Sequence, residues 1–132
     1  TEGALDDLPH HQAMQGTSMQ KRVITSFRPD DVVDPSREDF IENIQKLAVL
    51  TGQDTRSWSG YLQAIRMRRE YFKSLGATAT DHGHPTAQTA NLSLIECEGL
   101  FAVCLTGQSK AAQQELFRAQ MLTELANPSR CV

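Results

Sequence analysis

Two short apolar runs, Lys21 to Thr25 and Ala77 to Ala79, each lead into a cluster of charged residues, and the sequence between them carries helical periodicity. The clusters are Ser26-Phe27-Arg28-Pro29-Asp30 and Thr80-Asp81-His82-Gly83-His84. A strand, a helical return and a second strand make a right-handed crossover, which places the two strands parallel in one sheet. In such folds the chemistry sits on loops leaving the C-terminal strand ends, so the two clusters are the candidate functional loops. This is an α/β reading, helix-rich, with about two parallel strands and five helices.

The remaining punctuation supports that count. Pro9 belongs in the first turn of a short helix through His10, His11 and Met14, which Gly16 stops. Val23, Ile24, Thr25 and Phe27 give Lys21 to Phe27 strand character before Pro29. Ser36, with Asp39 three positions on, imitates a capping box for a helix carrying Phe40, Ile41, Ile44, Leu47 and Ala48 on one face and Gly52 at its end. Ser57 or Ser59 starts a second long helix, with Tyr61, Leu62, Ile65, Phe72 and Leu75 facing inward and Gly76 ending it. On it, Arg66, Arg68 and Arg69 read as a solvated face beside Glu70. Ala77 to Thr80 is the return strand. Ser93 with Glu96 forms a capping box for a helix that ends at Gly107, and Ser109 opens the last one, which Asn127-Pro128 stops. Residues 1–126 are expected to fold together and 127–132 to form a disordered tail.

With 132 residues the chain suits one domain, well short of the roughly 250 residues of a closed (β/α)8 barrel. Thirteen basic residues against 16 acidic ones leave a net charge of -3, which gives no reason to approach nucleic acid or anionic lipid. A small-molecule or protein partner is the better default. No run approaches the roughly 18 apolar residues of a membrane span. Cys97, Cys104 and Cys131 show no metal-type spacing and no even count, which points to packing roles and a cytoplasmic, reducing setting.

Arg28 precedes a proline and is therefore held extended at its strand end, where its fork suits a carboxylate or phosphate on a small ligand. The competing reading is an internal ion pair with Asp30, Asp31 or Asp34. Asp81 with His82 makes a candidate proton-transfer pair, and the competing reading is a turn aspartate capping its own backbone. His82 and His84 together supply fewer than the roughly three protein ligands of a catalytic zinc site, and His10 and His11 lie on a separate helix, so no metal ligand is assigned.

The order Ser26-Phe27-Arg28-Pro29-Asp30, a two-helix stretch, then Gly76-Ala77 through Asp81-His82-Gly83 resembles the central portion of uronate isomerase. Asp6 to His11 resembles the segment after that family's third barrel strand, and Leu92 to Ala126 resembles the helices between its fifth and sixth. Only Asn127 to Val132 depart. The resemblance implies a segment of a distorted (β/α)8 barrel of the amidohydrolase-like superfamily, and an aldose–ketose isomerase that interconverts D-glucuronate with D-fructuronate and D-galacturonate with D-tagaturonate. It further implies substrate binding by Arg28 and catalytic roles for Asp81 and His82, with a divalent metal such as zinc in complete family enzymes but no cofactor held by this chain alone. The family's first-strand His-x-His pair, its His-Tyr, and its later Trp and Asp-x-Arg elements have no counterpart here. The expected entity is therefore a fragment or truncated homologue, inactive by itself. The alternative is a non-catalytic helical module that binds a sugar acid or associates with itself, since two strands leave open edges and a homo-oligomer is expected.

Overall fold

The computed structural model describes residues 2–17, 26–77, 80 and 88–126. Its elements run β1 (Glu2–Gly3), α1 (Pro9–Ala13), β2 (Phe27–Arg28), α2 (Asp30–Val33), α3 (Phe40–Thr51), α4 (Trp58–Ser74), α5 (Leu94–Leu105) and α6 (Ala111–Ala126). The two strands pair in parallel, Glu2 with Phe27 and Gly3 with Arg28. Phe27 also bridges Thr80 in parallel, so Phe27 is the middle of three neighbouring extended segments.

The helices follow from local sequence. Ser57 caps α4 by accepting from the Gly60 amide, and Ser93 and Glu96 form a reciprocal capping box on α5. Gly52, Gly76 and Gly107 follow the ends of α3, α4 and α5 at positive φ, a region open to glycine at no steric cost. The apolar faces meet in an aromatic cluster. Tyr61 and Phe101 stack at 4.5 Å between ring centroids, and Trp58 meets Phe101 edge-on at 5.8 Å. Phe117 of α6 stacks on Phe101 at 6.1 Å and meets Phe40 of α3 edge-on. Phe27 joins this core through Phe72 at 5.1 Å, which fixes the sheet against α4.

Four expectations are corrected. The first strand of the described sheet is Glu2–Gly3, a stretch to which the sequence reading assigned no strand. Pairing across the sheet selects it, not any β-branched content of its own. Asp30–Val33 is a helix, so the described residues hold six helices where five were expected. Ser36 caps nothing: its amide and hydroxyl both go to Asp34 Oδ1, at 3.0 and 2.6 Å, and Asp39 takes the position before α3. Arg68 is buried, not solvated. Lys21 to Thr25 and the tail from 127 lie outside the described residues. Cys97 and Cys104 are buried thiols, in keeping with packing roles.

Candidate functional site

Parallel pairing brings the C-terminal ends of β1 and β2 together at Gly3 and Arg28, with Thr80 bridging Phe27 alongside. The chain leaves the first two ends through Ala4 to Leu8 and through Pro29 into α2. Asp81, His82 and His84 follow Thr80 in the sequence and lie outside the described residues.

Arg28 stands exposed at the end of β2, with Nε 3.8 Å from Asp30 Oδ2. The ion pair weighed from the sequence is therefore with Asp30. Arg28 keeps 45% of its side chain exposed, and a pair of that length and exposure adds little to stability, so the guanidinium stays on the solvent side of the strand ends. Asp34 instead pairs with Arg118 of α6 at 2.9 Å. Burial acts to raise the Asp34 carboxyl, but hydrogen bonds from Ser36 and Arg118 outweigh it and hold the group below its ordinary value.

Asp31 turns under the β1 connection. Its carboxylate accepts from the Leu5 and Ala4 amides, and its Oδ2 lies so near Gly3 that an added Cβ there would come within 2.9 Å. A side chain at position 3 would therefore require the Asp31 carboxylate to shift. Its Oδ1 is buried with no hydrogen-bond partner among the described residues. Burial raises the Asp31 carboxyl above its ordinary value, against those amide bonds and the attraction of Arg37.

Arg68 and Tyr71 of α4 grip the same connection from the other side. Arg68 Nε donates to the Ala4 carbonyl and Nη2 to the Asp6 carbonyl, each at 2.8 Å, and Tyr71 hydroxyl donates to the Asp7 carbonyl. Gln12 of α1 donates to the Tyr71 hydroxyl. The sequence reading missed both side chains, although Tyr61, Ile65, Arg68 and Phe72 fall at three-and-four spacing on one face. Arg68 occupies a core register position, and that was the signal available.

No group of three or more His, Cys, Asp or Glu side chains among the described residues is placed to hold a metal ion. What the arrangement offers is a cationic fork beside a strand-end connection held by Arg68 and Tyr71.

The family model for glucuronate isomerase matches residues 1–130. The uronate isomerase of Phenylobacterium zucineum is 55% identical over 129 residues, which cover 98% of this chain and 27% of that protein. That of Mesorhizobium japonicum is 53% identical, covering 98% and 28%. The crystal structure of glucuronate isomerase from Caulobacter crescentus superposes with a TM-score of 0.88 at 46% identity, over 95% of this chain and 26% of that one. Uronate isomerase from Thermotoga maritima shares the fold alone, with a TM-score of 0.83 at 20% identity over 94% of this chain and 28% of that one. The chain thus spans little more than a quarter of the length of the relatives it matches.

Proposed function

Because the chain belongs to the glucuronate isomerase family, we propose that it supplies one sector of a uronate isomerase site, built on consecutive βα units of a (β/α)8 barrel. The observation that carries this reading is the parallel register that sets Arg28 beside Gly3 at the strand ends, next to Phe27, which bridges Thr80. In the isomerisation a base removes the proton on C2 of the aldose while the C1 carbonyl oxygen gains one, giving an enediol. A proton delivered to C1 and one lost from the C2 hydroxyl then leave the ketose. Arg28 clamps the uronate carboxylate, a role suited to a planar guanidinium at a strand end. Asp81 moves the proton and His82 tunes it, roles that rest on the motif resemblance.

The metal implied for complete family enzymes finds no ligand set among the described residues, and no step is assigned to it. No helix among the described residues is long and apolar enough to cross a membrane, and the two buried free thiols favour a cytoplasmic setting. Leu94 and Ile95, 63% and 81% exposed at the start of α5, give apolar surface that favours self-association as part of the same proposal.

Arg28→Ala in a full-length uronate isomerase carrying this segment tests the clamp. The kcat/KM for D-glucuronate is expected to fall on the order of 10²-fold or more. An unchanged value removes Arg28 from the substrate site.

A further inference from the structure

We propose that Arg68 is a positioning residue of this site, which fixes the backbone of Ala4 to Leu8 as a rigid wall beside Arg28. The proposal rests on the isomerase reading and deepens it. Only 8% of the Arg68 side chain is exposed, and a guanidinium withdrawn from water is costly unless its donors are satisfied. The partners here are main-chain carbonyls of one short segment, those of Ala4 and Asp6, each at 2.8 Å. The nearest carboxylate, that of Asp7, is 3.9 Å away and mostly exposed, so charge neutralisation is not what places the arginine. The Tyr71 ring lies 4.7 Å from the guanidinium carbon, and its hydroxyl secures the Asp7 carbonyl.

The amide side of the same segment is taken by Asp31, which accepts from Ala4 and Leu5, and by Asp6, whose Oδ1 accepts from the Leu8 amide at 2.6 Å. Leu8 is buried and holds a left-handed conformation, φ 52°, which leucine adopts only where its surroundings impose it. The segment is thus bound at its Ala4 and Asp6 carbonyls from α4 and at its Ala4 and Leu5 amides from α2. Because Gly3 and Arg28 are register partners, the conformation of the segment sets the edge of the space into which Arg28 reaches.

The test is made in a full-length uronate isomerase carrying this segment, with Arg68→Met, which keeps the apolar stem and removes the donors. Amide hydrogen exchange at Ala4 to Leu8 is expected to rise while that of α5 stays as in the parent. The KM for D-glucuronate is expected to rise and kcat/KM to fall about 10- to 100-fold. A smaller folded fraction would lower kcat and leave KM unchanged, so the rise in KM separates positioning from mere stability. Arg68→Lys, which keeps charge but not the fork, is expected to fall between. Normal exchange at Ala4 to Leu8, or kinetic constants within about twofold of the parent, overturns the proposal. If Arg68→Met does not fold, Tyr71→Phe takes its place, and unchanged exchange and KM there overturn it equally. If the parent itself turns over no uronate, the isomerase reading fails and the positioning role falls with it, while exchange at Ala4 to Leu8 still reports whether Arg68 anchors the segment.

Discussion

The helical layer and the strand-end corner of this molecule are held by different forces. In the layer, Phe40, Trp58, Tyr61, Phe101 and Phe117 converge from α3, α4, α5 and α6, with neighbouring ring centroids 4.5 to 6.3 Å apart. At the corner, two strands of two residues each could not hold a shape alone, and Arg68, Tyr71 and Asp31 fix the connection by bonding its main chain. Apolar burial is non-directional, so it secures helices while tolerating small shifts. Hydrogen bonds to backbone are directional, so they secure a loop to one geometry. The stable part of the chain and the accurately placed part are therefore built from different residues.

The sharpest test of that difference removes an aromatic ring. Phe101 is fully buried and touches Trp58, Tyr61 and Phe117, so Phe101→Ala is expected to cost about 3–5 kcal/mol in urea denaturation. Phe101→Leu should recover more than half of that loss if filled volume holds the layer. A leucine variant as unstable as the alanine one would mean that ring geometry matters here as much as direction does at the corner.

The same division explains what could be read from the sequence. Helices α3 to α6 were legible because their signals are local: an apolar stripe at three-and-four spacing, Gly52 past one end, Ser57 and the Ser93–Glu96 box at two starts. The crossover was legible as well, since Phe27 and Thr80 are parallel neighbours. Strand β1 was not, because Glu2-Gly3 has no strand character and is defined by a partner 25 positions away in register, Glu2 with Phe27. Helix α2 carried a usable sign that was passed over, Pro29 directly before Asp30 and Asp31 in a first turn. Arg28 was placed correctly at a strand end. Arg68 was misread because charge was given more weight than register.

An ion pair bridging the two regions comes next in size. Arg118 of α6 donates to Asp34, the residue that ends α2, and both side chains are largely buried. Arg118→Met is expected to cost about 1.5–3 kcal/mol at neutral pH, the range for a hydrogen bond to a charged group. Asp34 is held below its ordinary value, burial opposing and the bonds from Ser36 and Arg118 prevailing. Its contribution is therefore present above the ordinary 3.8 and is lost as pH falls through the lowered value. The gap between parent and variant should close over that acid range. A gap that persists there would assign the cost to lost packing of the arginine stem rather than to the pair.

Asp31 supplies the smallest effect and the opposite sign. Its carboxyl is raised by burial, with the Leu5 and Ala4 amides and Arg37 opposing, so the fold favours the protonated form. Stability from that preference is complete below the ordinary 3.8 and is lost as pH rises through the raised value. Asp31→Asn holds a neutral group of the same shape at every pH, so the variant should gain on the parent as pH rises through that window and then run level with neutral conditions. Asp34 titrates in both proteins and cancels in the difference. Denaturation midpoints of the pair, followed across the acid range, give the answer directly. A variant that instead loses ground as pH rises would show that the two amides hold the charged carboxylate more strongly than burial opposes it, and the corner would then be an anion-binding turn first and a buried anchor second.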